Sequence, residues 1–331
     1  MVKFFMLVGL PGSGKTSWAN EMVDKRDGLL HLSSDEIREE LFGDESIQED
    51  SNKVFELMNL RAREALKNGV DVIYDATNLS RKRRKGIIQQ MPKAFDGEDI
   101  SFESVYFATP YYRCLLNNSK RDRKVPKEVV FDMYKRLEIP VLNEGFSVNS
   151  TIFQTPSKEN WYAQSVKELI ESEEIPEHDI LFETLGDYVH EDFYVIFDMP
   201  QDSTYHPFSI SRHTYHVYEA MRETKYGKDF NMLMAALLHD VGKGMAKTFK
   251  NYKGDIKRYA SFYNHERISS QIAYEVYQAL QNFDVELVSM LCQFHMRLHD
   301  PKLKVDELKK LVGEDVFEKL VVLNQCDKAG K

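Results

Sequence analysis

The chain has 331 residues, 42% of them hydrophobic, including 20 Phe and 17 Tyr. That composition excludes disorder, and the length leaves room for about two domains. The apolar run at residues 4–10 falls well short of the ~20 residues that span a bilayer, and it lacks a signal-peptide layout. Cys114, Cys292 and Cys326 show no CxxC spacing and make no disulfide framework, so a soluble protein of a reducing, intracellular compartment is expected. The net charge of −9 is unevenly placed: residues 1–149 carry −1, residues 150–195 carry −9 and residues 196–331 carry +1. Within residues 81–136 the balance is +7, so a basic surface for nucleic acid is compatible with an acidic chain.

The first 145 residues alternate strand and helix patterns. Strands are predicted at 2–9, 29–32, 70–74 and 102–107, and helices at 16–25, 35–42, 52–68, 81–91, 111–120 and 127–137. The fold class this implies is α/β, a parallel sheet with helices on both faces. After Gly145 the pattern changes. An amphipathic helix is expected at 161–173, and from Pro207 onward helices almost exclusively: 213–224, 230–238, 265–281, 285–296, 305–311 and 315–326. The division expected is a P-loop domain over 1–150, an acidic connector over 151–165 and an all-α domain over 166–331.

Gly9, Pro11, Gly12, Ser13, Gly14, Lys15 and Thr16 fit the pattern GxxxxGK followed by Ser or Thr, with a strand before it and a helix after it. Glycines let backbone N–H groups close around phosphates, and the helix N-terminus adds a favourable dipole. Lys15 is positioned for the β- and γ-phosphates of ATP and Thr16 for Mg²⁺. Beyond the second strand, Asp35 is a candidate base for an attacking hydroxyl and Arg38 a candidate acceptor contact; on spacing alone Asp35 reads equally well as a helix N-cap. Asp75 ends the third strand ahead of the basic run 81–85, which also fits a solvated helix face. Arg113, Lys120, Arg121, Arg123 and Lys124 precede Pro126 as candidate lid cations for a transferring phosphoryl group.

Together the strings GLPGSGKTSWA, SSDEIR, VIYDATNLSRKRR and NNSKRDRKVPKEVVFDMYKRL resemble the phage polynucleotide 5′-kinase family over about residues 2–145. The resemblance implies Asp35 as general base toward a polynucleotide 5′-OH, Arg38 on the acceptor phosphate, an essential Asp75, and Arg121 on the ATP phosphates. One departure stands out: Asn117 occupies the position of a further lid arginine, leaving Arg123 or Arg113 to compensate.

Nine of the ten histidines lie in the second half. His213 opens one predicted helix, and His239 and Asp240 close another ahead of Gly242 and Lys243. His265 starts a third helix, His295 and His299 end a fourth, and Asp327 falls at the end of the last. Such imidazole and carboxylate donors suit one or two hard-to-borderline divalent metals, which would support phosphate-ester hydrolysis. Gly242 is expected to fray the helix so that His239 and Asp240 both face the metal. His178, His190 and His216 read as ordinary surface or core histidines. The string HDVGK, with His213 upstream and Asp327 downstream, resembles the HD phosphohydrolase superfamily over about 165–331. By that resemblance His213, His239, Asp240 and Asp327 hold the core metal, His265 and His295 complete a second site (His299 being the alternative to His295), and Lys243 contacts phosphate. Pro200, Gln201, Ser203 and His206 look like the lead-in of HD domains attached to tRNA nucleotidyltransferases. The chain stops four residues after Asp327, read as a truncated chain or a frayed last turn.

Two phosphate-handling domains of opposite chemistry resemble fusions of HD and polynucleotide-kinase modules, though here the kinase comes first. The reading is a bifunctional end-healing enzyme. It phosphorylates 5′-OH ends with ATP and Mg²⁺, and clears 3′-phosphate or 2′,3′-cyclic phosphate with one or two divalent metals such as Mn²⁺, Co²⁺, Ni²⁺, Zn²⁺ or Mg²⁺. Its expected partners are RNA or DNA ends, RNA favoured, and an RNA ligase acting on the products, in a bacterial or phage-infected host cytoplasm, with no membrane. Two rivals are a small-molecule or nucleoside kinase joined to an HD nucleotide phosphohydrolase, and a nucleotide-sensing regulator whose HD site binds without turnover.

Overall fold

The computed structural model describes residues 1–43, 50–153, 161–203 and 207–330. His206 and residues 154–160 lie outside them, so the lead-in string is described only through Ser203. The chain divides into two compact units, Met1–Thr155 and Pro156–Lys331.

The first unit runs β1 (Lys3–Val8), α1 (Lys15–Lys25), β2 (Leu29–Ser33), α2 (Ser34–Phe42), α3 (Ser51–Lys67), β3 (Asp71–Asp75), α4 (Arg81–Gln90), a small hairpin β4 (Ala94–Phe95) and β5 (Glu98–Asp99), β6 (Ser101–Phe107), α5 (Tyr111–Ser119), α6 (Lys127–Arg136) and β7 (Val148–Ile152). The large sheet has the order β2-β3-β1-β6-β7, and all its pairs are parallel. A parallel sheet is covered on both faces, which explains the unbroken apolar strands. Phe4, Met6, Val72, Tyr74 and Phe102 pack under α3 and α4. Phe5, Leu7, Ile73, Val105 and Phe107 face α1 through Trp18, Ala19 and Met22. Strand β7 was not expected from the sequence. Its run VNSTI carries one polar residue after another and is only half-buried, as an edge strand allows.

In the second unit follow α7 (Ala163–Glu171), α8 (His178–Tyr188), α9 (Asp192–Ile196), α10 (Ile210–Arg222), α11 (Phe230–Leu238), α12 (Lys243–Ala246), β8 (Thr248–Lys250), β9 (Ile256–Ser261), α13 (His265–Leu280), α14 (Val285–Phe294), α15 (Val305–Val312) and α16 (Glu314–Ala329). Apolar and buried except at Asn231, α11 lies between α10, α13, α14 and α16. Helix α10 begins three residues earlier than its periodicity indicates, because Ser209 caps it by accepting from the Arg212 N–H. Helices α8, α9 and α12 add to the predicted set, and the hairpin β8–β9 departs from the all-helical expectation.

Candidate functional site

The order β2-β3-β1 sets the carboxyl ends of three strands side by side, with Ser33 paired to Asp75. The loop after β1 therefore faces the residues following β2 and β3, where open α/β sheets bind ligands. Gly12 and Gly14 have φ of +78° and +95°, and a Cβ on Gly12 would lie 2.4 Å from the Cys114 carbonyl oxygen. Lys15 is buried, and its Nζ donates to the carbonyls of Leu10 (2.7 Å) and Gly9 (3.1 Å). Burial lowers its pKa against the pull of Asp75. The Thr16 hydroxyl donates to Asp75 Oδ2 at 2.8 Å, and His31 Nε2 lies 3.2 Å from the same oxygen. Burial acts to raise the Asp75 pKa, but His31, Lys15 and Thr16 outweigh it and hold the group below its ordinary value.

Across the cleft, Ser33 caps α2 by accepting from the N–H groups of Asp35 and Glu36. The capping alternative for Asp35 thus falls to Ser33, and the Asp35 carboxylate turns to three guanidiniums. Arg38 Nη1 lies 3.0 Å from it, Arg123 Nη1 2.9 Å and Arg121 Nη2 3.8 Å. The cleft, about 1090 Å³, is large enough for a nucleotide and part of a second substrate. Asn117 donates instead to the Gly12 carbonyl at 2.9 Å, pinning α5 to the phosphate loop. The basic run 81–85 divides by burial. Arg84 is wholly buried on Glu144, while Arg83 lines the cleft with its guanidinium 3.6 Å over the Phe55 ring. Sequence reasoning missed His31, Phe55 and Arg83, since each meets its partner only across the sheet or between α3 and α4.

The second unit gathers its candidate ligands into two buried groups: His213, His239 and Asp327, and Asp240, His265 and His295. Asp240 faces both. Its Oδ2 lies 3.4 Å from both His213 Nε2 and His239 Nε2, and its Oδ1 lies 3.0 Å from His265 Nε2 and 3.7 Å from His295 Nε2. Each histidine places Nδ1 on a backbone carbonyl: Gly330 for His213, Ala236 for His239, Phe262 for His265 and Cys292 for His295, at 2.7 to 3.1 Å. A carbonyl only accepts, so each Nδ1 carries a proton and each ring turns its Nε2 inward toward the carboxylates. The Nε2 atoms of His265 and His295 then face each other at 3.3 Å. Four inward nitrogens and two carboxylates, with carbonyls fixing the tautomers, are a donor set that would fit divalent cations. The demand for positive charge also appears in the titration: burial alone would lower the His213 pKa, yet Asp240 and Asp327 push it up to about 9. Asp240 is held well below its ordinary range, burial being overcome by Lys243, His239 and His213.

His295 faces the cluster, whereas His299 Nε2 sits 2.8 Å from the outer oxygen of Asp327 and steadies that carboxylate from behind. Lys243 Nζ lies 2.6 Å from Asp240 and donates to Gln201 Oε1 at 2.9 Å. Gly242 plays a different part from the expected one. Its φ is −65°, an ordinary helical value, but a Cβ there would meet the His265 carbonyl at 2.4 Å, so glycine is needed for α13 to approach. The Gly330 carbonyl that orients His213 escaped sequence reasoning, because a backbone acceptor leaves no residue-type signal.

A strand–glycine loop–helix closing on a buried Lys15 and an exposed Thr16 defines a P-loop phosphotransferase, and the helical unit has the donor set of a divalent-metal hydrolase. Residues 4–140 match the family model of an AAA domain and residues 210–328 that of an HD domain. The protein is an enzyme that joins a P-loop kinase domain, implying ATP and Mg²⁺, to an HD domain, implying divalent metal. The chain is 28% identical over 177 residues to an L-seryl-tRNA(Sec) kinase of Methanococcus maripaludis, matching 51% of this chain and 65% of that kinase, just under two thirds of its length. A chain of the Pnkp1/Rnl/Hen1 RNA repair complex is 25% identical with a TM-score of 0.35, matching 40% of this chain and 42% of its own. A fungal RNA kinase is 16% identical with a TM-score of 0.36, matching 56% and 97% respectively. No helix among the described residues is long and apolar enough to cross a membrane.

Proposed function

We propose that the chain is a bifunctional end-healing enzyme, with the kinase over 1–150, a connector over 151–165 and the HD phosphohydrolase over 166–331. Its substrates are polynucleotide ends, RNA in preference to DNA, and a ligase in the cytoplasm joins the products. The observation that carries this reading is the setting of Asp35. A carboxylate ringed by Arg38, Arg121 and Arg123 opposite the phosphate loop suits an acceptor that brings a hydroxyl and a phosphate together. Asp35 takes the proton of the 5′-hydroxyl, Arg38 holds the adjoining phosphate, and Lys15 and Arg121 neutralise the transferring phosphoryl group. Before substrate arrives, Arg123 occupies Asp35, so an anionic acceptor must draw the guanidinium away to free the base.

His213, His239, Asp240, Asp327, His265 and His295 would hold divalent cations, which when bound would supply Lewis-acid polarisation of a phosphate ester. Lys243, already beside Asp240, is placed to hold a phosphoryl oxygen. The likeness to an L-seryl-tRNA(Sec) kinase favours a second reading, in which the acceptor hydroxyl is not a 5′ end. Labelled transfer from ATP to a 5′-OH oligonucleotide, a nucleoside, a seryl-tRNA and no acceptor decides between them. Preferential labelling of the oligonucleotide is expected; labelling of the nucleoside or the seryl-tRNA alone overturns the end-healing reading.

A further inference from the structure

The hairpin β8–β9 belongs to neither the metal cluster nor the helical core. Residues 247–263 hold five cations, Lys247, Lys250, Lys253, Lys257 and Arg258, against one acid, Asp255, for a net charge of +4 in a chain of net −9. They also hold five aromatic residues. Tyr252 is 84% exposed and Ile256 83%, while Phe249 and Tyr259 are each 41% exposed. A two-stranded hairpin without a hydrophobic face is marginal by itself, so this sequence is not explained by packing. The one acid is spent in the turn, where Asp255 Oδ2 accepts from Asn251 Nδ2 at 2.9 Å. Lys247 pairs with Asp202, but among the described residues no ion pair engages Lys250, Lys253, Lys257 or Arg258. Arg258 and Lys247 lie over the rings of Tyr259 and Phe249, and Tyr252 packs against Tyr263 with centroids 4.2 Å apart and the rings tilted by 36°.

Both roots of the hairpin lie close in the chain to residues of the candidate metal site. β8 starts five residues after Lys243, and β9 ends four residues before His265, whose ring is oriented by the Phe262 carbonyl. Lys243 Nζ also lies 5.4 Å from the centre of the Phe262 ring. We infer that the hairpin Thr248–Ser261 binds single-stranded polynucleotide, its rings stacking on unpaired bases and its cations on the backbone, and so leads a strand's terminal phosphate to the HD site. Lys257 Nζ donates to the Tyr263 hydroxyl at 3.1 Å, a neutral partner that leaves its charge unmatched. Exposed rings interleaved with cations that no carboxylate neutralises are the arrangement that holds single strands with little sequence preference. The inference rests on the reading of the HD domain as acting on polynucleotide ends, and it supplies the substrate-length preference that the metal cluster alone lacks.

The test uses the full, metal-loaded chain and a single-stranded RNA 12-mer phosphorylated at both ends, so that it is no acceptor for the kinase. Binding is read by fluorescence anisotropy, and hydrolysis is compared with that of a 2′,3′-cyclic mononucleotide. The double variant Tyr252→Ala/Tyr259→Ala is expected to bind the RNA roughly tenfold more weakly. Lys250→Glu/Lys257→Glu should make the salt dependence shallower by about one to two phosphate contacts. Both variants should hydrolyse the cyclic mononucleotide at the wild-type rate, which also reports an intact fold. Unchanged RNA affinity together with an unchanged oligonucleotide-to-mononucleotide ratio overturns the proposal. So does a loss confined to duplex RNA or to anionic phospholipid vesicles. If wild-type protein binds the RNA but hydrolyses neither ester, the end-healing reading fails, and the anisotropy of the variants alone decides the hairpin.

Discussion

Asp35 is the residue on which the kinase reading turns, and its partners make distinct predictions. Lys15→Ala and Asp35→Ala should each nearly abolish transfer to a 5′-OH oligonucleotide while leaving hydrolysis by the second domain unchanged, measured side by side on one preparation. Near-wild-type transfer by Asp35→Ala would remove the proposed base. Arg123 is closer to Asp35 than Arg121 is, at 2.9 against 3.8 Å, and it is less exposed. Arg123→Ala should therefore weaken the oligonucleotide KM at least as much as Arg121→Ala does; an effect on the ATP KM alone would return Arg123 to the donor side. In the HD domain, His239→Ala should abolish phosphate-ester hydrolysis and lower the bound-metal content, read by elemental analysis, because it removes one of the inward nitrogens of the first ligand group.

Between elements, one buried and one half-buried ionic contact carry testable energy. Arg84 from α4 makes a two-pronged bond to Glu144, both at 2.7 Å, and donates to the carbonyls of Asn78, Leu79 and Glu138. Glu144→Gln strands that guanidinium in the interior, and breaking such pairs costs about 3–5 kcal/mol. The first unit should melt several degrees lower, whereas an unchanged melting temperature would mean Arg84 is held by the carbonyls alone. In the second unit, His190 bridges Asp192 of α9 and Glu275 of α13. Burial pushes Asp192 up to about 6, and His190 is also raised, burial being overcome by Glu275. Both groups bind protons more tightly folded than unfolded, so their contribution is full at low pH and is lost as pH rises. For Asp192 the loss runs from about pH 4 to about 6 and amounts to at most ~3 kcal/mol. Asp192→Asn should thus raise the melting temperature of the second unit at pH 7, with the gain vanishing below pH 4. A gain equal at both pH values would assign the effect to packing.

For the whole molecule, two separate phosphate sites predict separable activities. Chelator followed by Mg²⁺ alone should restore the kinase at once. Hydrolysis should return only with a metal that the imidazole-rich centre accepts, with Mn²⁺, Co²⁺ and Ni²⁺ titrated in turn. Recovery of both activities with Mg²⁺ at the same concentration would mean that the HD centre does not discriminate among these ions. Conversely, His239→Ala should leave labelling of 5′-OH ends at the wild-type rate.

The sequence by itself determined the P-loop, the α/β alternation and the positions of His213, His239, Asp240 and Asp327. These follow from local signals: glycine spacing, apolar period, and rare residue types beside helix ends. Tertiary structure alone decided that Ser33 caps α2 and leaves Asp35 to the arginines, and that Arg83 and Arg84, neighbours in one basic run, go to a cleft and to a core. It alone turned His295 inward and His299 onto the back of Asp327. The strand β7 and the hairpin β8–β9 were likewise invisible, since an edge strand and a solvent-exposed hairpin carry no apolar alternation to read. What separates the two groups is range. A chain motif is written in neighbouring residues, but a side chain's partner is fixed by which elements the fold brings beside it, and nothing in the local residue pattern records that.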